Sequence, residues 1–202
     1  MIAGAITVVA ATRLEAWAVR RAVAGARVVE AGVGLGRLRG KVPGDAIVTC
    51  GLAGALRPDL PTGSVIVPDR VLRPDGEWLE CDAVLVDSLV AAARRLGMEA
   101  ERGPLVTVSV IVRGSARDEW ARRGCVAVDM ETGLLTAPRI AAVRVILDTP
   151  HREISEVWRH PALALLRPAA WGEAVWLLRE APRCAARAAS VLAAALFAGA
   201  SG

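Results

Sequence analysis

The segment "VTCGLAGALRPDLPTGSVIVPD", Val48 to Asp69, determines the fold that we predict for this chain. It begins as an apolar β-strand, runs into the small residues Gly51-Leu52-Ala53-Gly54, and enters a second apolar strand after Gly63. Small residues beside a strand allow a ligand to approach the backbone closely, and a crowded contact between a helix and a sheet would use them equally well. The segment therefore indicates a buried sheet with either a ligand or a packed helix against it.

Short β-branched runs recur on both sides of this segment, and helix-like stretches separate several of them. The apolar runs begin at Ala5, Arg27, Ala46, Ser64, Leu105, Cys125 and Ile140. The helix-like stretches cover Leu14 to Ala24, Asp82 to Gly97 and Ser115 to Gly124. Alternation of helices with strands that are apolar on both faces is typical of an α/β domain with a largely parallel or mixed sheet.

The organisation of the chain changes after Pro150, where the pattern becomes helical only and rich in Ala, Leu and Trp. We predict a single domain over residues 1–202, with an α/β core over 1–150 and a helical tail over 151–202 that packs on this core. Within the core, the Asp-Gly pair in Leu72 to Trp78 is a turn signal that predicts a β-hairpin.

The composition excludes several classes of partner. The formal charge is +4 in 202 residues, and the arginines that carry it are dispersed, so we expect no nucleic-acid partner. The four cysteines are far apart and form no C-x-x-C pair, which predicts neither a metal centre nor a disulfide framework and favours a cytoplasmic location. The apolar N-terminal run has no basic leader, and the tail has fewer than the roughly 18 consecutive apolar residues that a spanning helix needs.

Polar or small residues follow four of the predicted strands, and in open α/β sheets ligands bind where strands end. Glu15 is one such residue, and it serves either as a general base or as a favourable charge at the start of a helix. Glycines 32, 34 and 36 follow the second run, where backbone N–H groups are able to meet an anion or a sugar. This glycine segment does not fit the dinucleotide fingerprint, and a tight turn explains it equally well.

Two consecutive apolar strands end in carboxylates. "CVAVDMETG" places Asp129 and Glu131 after one strand, and "VRVILD" ends the next strand at Asp148. One acid in such a place would be unremarkable as a helix cap. Because the pattern is repeated, it indicates a functional site.

The complete set of motifs resembles the purine nucleoside phosphorylase and nucleosidase superfamily, in particular its methylthioadenosine/S-adenosylhomocysteine nucleosidases. The similar segments occur in the family's order between Ile6 and Asp148: "ITVVAATRLEA", "AGVG", "TCGLAGAL", "GSVIVPD", "AVDMETG" and "VRVILD". The resemblance implies a three-layer sandwich around a central mixed sheet, followed by a helical C-terminal part. It also implies an enzyme that acts on a small purine nucleoside, uses no cofactor and no metal, and forms a homodimer.

The resemblance assigns roles to individual residues. Asp148 would protonate the leaving purine and Glu15 would activate water as the catalytic pair, while Glu131 would bind the ribose hydroxyls and Met130 would pack on the sugar. The remaining residues of the implied base or anion pocket are Gly51, Leu52, Ala53, Gly54, Gly34, Ile111 and Arg144. A general acid of this kind needs a raised pKa in a site with little water.

Departures from the family pattern leave the nucleophile open. By this placement Thr49 and Leu52 stand where phosphorylases hold phosphate with an arginine and a serine, and this favours hydrolysis. Phosphorolysis, with phosphate as a co-substrate, stays open as an alternative, because an anion could be bound by Arg13, Arg37 and Arg144. Leu147 and Ile111 replace a serine and an aromatic residue, so a degenerate protein that binds nucleosides without cleaving them is a further alternative.

The tail resembles that of the hopanoid-associated phosphorylases, relatives thought to remove adenine from an adenosyl-hopane lipid precursor. Trp158, Trp171 and Trp176 with nearby Arg and Leu predict an apolar entrance for a lipid-linked nucleoside, or a peripheral membrane contact. Burial of these helices on the sheet or in a dimer contact is the alternative.

Overall fold

The computed structural model describes residues 6–38, 42–159 and 167–198 of the chain. In this part of the chain ten strands form one mixed sheet, with helices packed against it. The strands are β1 (Ile6–Ala10), β2 (Arg27–Glu30), β3 (Ala46–Ala55), β4 (Val65–Ile66), β5 (Arg70–Leu72), β6 (Trp78–Glu80), β7 (Ala100–Glu101), β8 (Leu105–Thr107), β9 (Ala127–Asp129) and β10 (Arg139–Asp148). The helices are α1 (Arg13–Ala22), α2 (Ala83–Arg95), α3 (Ser115–Arg122) and α4 (Trp171–Ala198).

The two longest strands, β3 and β10, form the centre of the sheet. They run parallel, from the pair Ala46–Arg139 to the pair Gly54–Asp148. Nearly every residue of both strands is buried, because helices and loops cover both faces of the sheet. This agrees with the predicted α/β class, in which central strands are apolar on both sides.

Strand β3 changes its partner along its length. On one edge its first half pairs in parallel with β1, and its last two residues pair antiparallel with β9. The last β1 partner is Thr49 and the first β9 partner is Gly54, so the four residues from Cys50 to Ala53 face neither strand. The sheet therefore branches, and the branch point leaves an opening beside the middle of β3.

Alternate residues of the central strands enter different clusters of the core. Val143 and Val145 of β10 pack with α1, α2 and α4, whereas Ile140 and Ile146 pack with clusters on the opposite side of the sheet. Helix α4 contributes Ala185, Ala188 and Leu192 to the first cluster. Small residues on α4 permit a close approach of the helix to the sheet.

Two details differ from the sequence-based expectations. The predicted strand from Leu105 ends at Thr107, because its neighbour β9 ends at the facing residue Asp129. Residues 51–54 lie inside β3 and not after its end, because β10 continues to pair with β3 through Gly54.

The structure also shows the predicted hairpin. Strands β5 and β6 pair antiparallel, with Leu72 opposite Trp78. The part of the predicted tail from His160 to Leu166 lies outside the described residues, and the domain boundaries stay a prediction. No helix in the described ranges has the length and apolar character needed to cross a membrane.

Candidate active site

The opening beside β3 gathers side chains from both strands that border it. Strand β1 runs parallel to β3 and β9 runs antiparallel, so the C-terminal ends of both strands point into the opening. Glu15 follows β1 and Glu131 follows β9. The branch of the sheet therefore brings together two carboxylates that are far apart in the sequence.

Glu15 occupies the edge position that a strand would otherwise fill. One of its carboxylate oxygens, Oε1, accepts a hydrogen bond from the backbone N–H of Leu52 at 2.8 Å. The other oxygen accepts from the N–H and the hydroxyl of Thr12, at 2.7 and 2.8 Å, and the Thr12 hydroxyl in turn caps the start of α1. Glu15 is only 4% exposed. Glu15 is therefore a helix-start residue that also lies in the candidate site, and its role as a general base stays a prediction.

Arg144 lies at the centre of the opening. It is the β10 partner of Gly51, and it is almost completely buried. A Cβ on Gly51 would lie 2.8 Å from Nη1 of Arg144 and 2.2 Å from Oε1 of Glu15. Only a glycine leaves room for both charged groups at this point, which explains a small residue here.

Three carboxylates surround this one guanidinium. Arg144 Nη2 donates to Asp129 at 2.6 Å and lies 3.6 Å from Glu131, and Glu15 acts on it electrostatically. Burial lowers the pKa of Arg144, but Asp129, Glu131 and Glu15 outweigh this effect and raise it above the ordinary value. Arg144 is therefore charged, and the cluster has an excess of negative charge when all three carboxylates are ionised.

Two nitrogen atoms of Arg144 are not used within the protein. Nε and Nη1 have no hydrogen-bond partner among residues 6–38, 42–159 and 167–198, although both are buried. A buried donor without a partner is costly, and it is usually explained by water or by a ligand. The region next to Gly51 and Glu15 is therefore suited to a bound polar molecule.

Asp129 holds the guanidinium of Arg144 in place. It accepts hydrogen bonds from the Thr107 hydroxyl at 2.5 Å, from the Thr132 backbone N–H at 3.1 Å, and from the Thr132 hydroxyl. These bonds and the ion pair with Arg144 satisfy the carboxylate. Asp129 therefore acts as a structural anchor for Arg144.

Glu131 reaches the glycine turn that the sequence singled out. Its Oε1 accepts a hydrogen bond from the N–H of Gly34 at 3.0 Å, and Gly34 itself has a φ of 59°. Burial raises the pKa of Glu131 to about 7, with Arg144 opposing and Asp129 adding to this shift. Met130, next to it, and Ile111 in the loop after β8 are both half-buried.

Asp148 ends β10, and its partner on β3 lies three residues beyond Gly51, the partner of Arg144. A register shift between Ile146 and Asp148 places this acid opposite Gly54, whose missing side chain leaves room for the carboxylate. Three strand residues correspond to a rise of about 10 Å along β3. Burial raises the pKa of Asp148 above its ordinary value, while the neighbouring Arg117 opposes this shift.

Arg117 and Glu153 are site residues that the sequence reasoning missed. Arg117 of α3 is 1% exposed, and it forms an ion pair with Asp148 and a second one with Glu153 at 3.1 Å. A signal existed, because Arg117 shares a helix face with Trp120 and Ala121, three and four residues later. No local pattern indicated that this face would meet Asp148.

A cavity of about 480 Å³ lies elsewhere, between α2 and α4, and is lined mainly by apolar residues such as Leu85 and Leu192. It contains none of the carboxylates described above. We place the candidate site at the opening beside β3, because the buried charges and unpaired donors are there. In the described parts of the chain, no group of three or more His, Cys, Asp and Glu side chains is arranged to hold a metal ion.

Solved structures with a similar fold include nucleosidases and a futalosine hydrolase. A Helicobacter pylori methylthioadenosine/S-adenosylhomocysteine nucleosidase variant, solved with 5′-methylthioadenosine in its active site, shares 14% identity at a TM-score of 0.71, with 96% of this chain and 98% of that chain covered. S-adenosylhomocysteine nucleosidase of Streptococcus pyogenes shares 18% identity at a TM-score of 0.71, with coverage of 97% and 98%. A futalosine hydrolase mutant of H. pylori shares 14% identity at a TM-score of 0.68, with coverage of 96% and 98%.

These similarities define a nucleoside phosphorylase-like α/β fold, and they confirm the predicted fold class. Residues 18–160 match the family model of the Phosphorylase superfamily, so the chain belongs to this superfamily. The match includes Asp129 to Glu131, Arg144 and Asp148, whereas Glu15 precedes it. It confirms the resemblance at the level of the superfamily, and with it the prediction of an enzyme of the nucleosidase or phosphorylase type. No curated protein matches the sequence.

The raised pKa of Glu131 has a consequence for stability. This carboxyl titrates near 4.5 when unperturbed and near 7 in the folded protein, so between these pH values the unfolded chain binds fewer protons. The free energy of unfolding therefore falls as the pH rises from about 4.5 to about 7, by about 2–3 kcal/mol. Glu131→Gln removes the ionisable group and should remove this part of the fall.

Urea denaturation of the wild type and of Glu131→Gln at pH 5 and pH 8 measures the effect. Glu77→Gln is the matched control, because Glu77 is exposed and its loss should leave the wild-type pH dependence unchanged. If the wild type and Glu131→Gln lost stability in parallel between the two pH values, the buried carboxyl would not titrate as described.

Proposed function

We propose that this protein cleaves the N-glycosidic bond of an adenosine-type purine nucleoside and releases the base by hydrolysis. The observation that carries the proposal is the placement of four groups along the centre of the sheet. Glu15, Glu131 and Arg144 lie at one end, around Gly51, and Asp148 lies opposite Gly54. A ribose near Glu131 would direct its purine towards Asp148.

The base leaves readily only as a neutral species. Asp148 would donate its proton to N7 of the purine while the C1′–N9 bond breaks and its electron pair moves onto the base. The raised pKa of this buried carboxyl supports the role, since a general acid must hold its proton at the working pH. The remaining sugar has the character of an oxocarbenium ion, and the excess negative charge of the Arg144 cluster would stabilise it.

Water is the nucleophile that fits the opening best. Glu15 would accept a proton from a water molecule, whose oxygen bonds to C1′, and the unpaired Nε and Nη1 of Arg144 are placed to hold that molecule. Glu131, as a carboxylate, is able to accept hydrogen bonds from two ribose hydroxyls.

The same geometry argues against phosphate. Three carboxylates face one guanidinium, so a dianion would meet net repulsion. The Leu52 backbone N–H already donates to Glu15, and the buried Thr49 hydroxyl is paired with that of Thr132 at 2.9 Å. Phosphorolysis of the same bond is the second candidate, because Arg144 retains two unpaired nitrogen atoms.

The choice between the two reactions is tested by base release with and without phosphate. We expect adenine release from adenosine or methylthioadenosine at the same rate in phosphate-free buffer and in buffer with phosphate. Reducing-sugar detection should find the free sugar, ribose from adenosine or methylthioribose from methylthioadenosine, and not its 1-phosphate. Turnover that requires phosphate would identify a phosphorylase, and base release from none of these nucleosides would favour a binding protein.

The two catalytic assignments predict separate losses. Asp148→Asn and Glu15→Gln should each lower kcat about 10²- to 10⁴-fold, because each removes a positioned acid or base. Both variants keep similar volume, so circular dichroism should show an unchanged fold. Asp69→Asn is the matched control, since Asp69 is an exposed partner of Arg102. Wild-type turnover in Asp148→Asn would remove Asp148 from the mechanism.

We further propose that the substrate carries an extended apolar group at its 5′ carbon, as in the adenosyl-hopane precursors of the hopanoid-associated branch. Three exposed apolar residues support this, because each is close in sequence to a residue of the site. Val33 adjoins the Gly34 turn, Val110 precedes Ile111, and Leu134 follows Glu131.

The tail contributes one exposed aromatic residue. Helix α4 begins at Trp171, which is 58% exposed, and its Glu173 binds Ser155 in the loop that follows Asp148. Trp176 does not contribute, because it is buried under Arg152, and Trp158 is half-buried. Of the three tryptophans considered from the sequence, Trp171 is therefore the one best placed for an apolar ligand or a membrane surface.

A comparison of substrates tests the lipid proposal. We expect an adenosyl-lipid to give a kcat/KM at least tenfold above that of adenosine, and Val110→Glu to reduce this ratio without a change in the rate on adenosine. Trp78→Glu is the control, because it places the same charge at an exposed apolar residue of β6. Equal kcat/KM values, together with no flotation of the protein on liposomes, would contradict the proposal. The homodimer stays a prediction, and light scattering coupled to size-exclusion chromatography tests it.

A further inference from the structure

A buried arginine lies against the candidate general acid, and this creates a problem for the chemistry. Asp148 has to be protonated before it can donate a proton to the purine. The guanidinium of Arg117 donates to its carboxylate, and a cation in this position favours the ionised form. The side chain of Arg117 is 2% exposed, so solvent does not screen this interaction. Arg117 therefore opposes the protonation of Asp148 that burial favours.

Glu153 is a second carboxylate on the same arginine. Arg117 Nε donates to Glu153 Oε1 at 3.1 Å, and Arg113 lies 3.4 Å from the other oxygen of Glu153. The backbone N–H of Gly114 also donates to Oε1, at 2.6 Å. Glu153 is therefore fixed at the start of α3, and it binds a different nitrogen atom of Arg117 from the one that binds Asp148.

Arg117 does not depend on Asp148 for its position. Its Nη1 donates to the backbone carbonyl of Ala55 at the end of β3, while Nε binds Glu153 and Nη2 binds Asp148. The guanidinium would thus stay in place, with two of its three contacts intact, when Asp148 takes up a proton. Its charge would stay compensated as well, because the Glu153 carboxylate stays in contact with it.

Arg113 is 45% exposed and screened by solvent, so the buried balance of charge is that of Arg117 with Asp148 and Glu153. One guanidinium between two carboxylates carries a net negative charge, and a single added proton makes the group neutral. A buried charge without a partner is costly, and neither state contains one. We propose that Glu153, acting through Arg117, is a positioning residue that allows Asp148 to hold and to release the proton used in glycosidic cleavage.

The other groups around Asp148 do not provide this balance. Gly54 and Val128 face it from β3 and β9 without a charge, and the backbone N–H of Ile154 favours the ionised form. His151 is exposed in the following turn, and the guanidinium of Arg152 lies over the Trp176 ring at 4.4 Å. Among these neighbours, the charge that acts directly on the carboxylate is that of Arg117, and Glu153 and Arg113 act one contact further away.

The inference rests on the proposed role of Asp148, and it completes the proton balance of that reaction. The Asp148 proton moves to N7 as the C1′–N9 bond breaks, and the resulting carboxylate is met by Arg117. Water adds to C1′ and gives its proton to Glu15, from which it passes to solvent. Asp148 then regains a proton from solvent, which the negative charge of Glu153 favours.

Two substitutions should move the pH profile in opposite directions. With Glu153→Gln, Arg117 pairs with Asp148 alone, so the pKa of Asp148 falls. The pH above which kcat is lost should therefore fall by about one unit. With Arg117→Gln, the cation is gone, so the pKa rises and activity persists to higher pH. Glu119→Gln removes an exposed carboxylate from the same helix and should leave the profile unchanged. Glu153→Asp should restore most of the wild-type profile.

A direct pKa measurement separates this inference from the proposed function. The carboxyl carbon of Asp148 is followed by NMR with ¹³C-labelled aspartate, and Asp148→Asn assigns its signal. A lower pKa of Asp148 in Glu153→Gln supports the inference, whether or not the protein turns over a nucleoside. The absence of turnover would contradict the proposed function instead. If Asp148→Asn abolishes activity while Glu153→Gln changes neither the pKa nor the pH profile, the inference is wrong. Should Arg117→Gln not fold, Arg117→Lys and the Glu153 variants provide the same comparison.

Discussion

One buried guanidinium sets the conditions for the rest of the site. Arg144 is fully enclosed, and a charge without water around it is tolerable only when opposite charges and hydrogen bonds replace that water. Asp129, Glu131 and Glu15 supply those charges from two different strand ends. The bonds of Asp129 to Thr107 and Thr132 extend the network to β8. Packing of the core and placement of the reactive groups are therefore parts of the same interaction.

The branch in the sheet makes this convergence possible. A continuous neighbour along β3 would have covered residues 50–53, and no side chain could then have reached the Leu52 N–H. Strands β1 and β9 approach the opening from opposite directions, and both end there. The residues that follow them therefore meet. The same central pair, β3 and β10, then carries Arg144 and Asp148 at a fixed separation. The fold thus fixes both ends of the proposed nucleoside site on rigid strands.

The sequence predicted the layers of this fold and several of its acids, but not the partners of those acids. Alternating strand and helix patterns report burial, and strand ends report where ligands bind, so Glu15, Glu131 and Asp148 were accessible as candidates. Arg117 lies 31 residues from Asp148 and 36 from Glu153, and no local periodicity encodes such a contact. For the same reason the composition of residues 51–54 does not show that they belong to a strand. They do so because β10 is long enough to pair with them.

Glu15 performs three tasks with one carboxylate, since it caps α1, completes the edge of β3 and faces the opening beside Gly51. Opening of the first turn of α1 would therefore misplace this carboxylate without global unfolding. Local opening at helix ends costs less free energy than unfolding of a core. Thermal inactivation of this protein would then begin below the melting temperature of its sheet. The exchange rate of the Leu52 amide hydrogen would report the same local event.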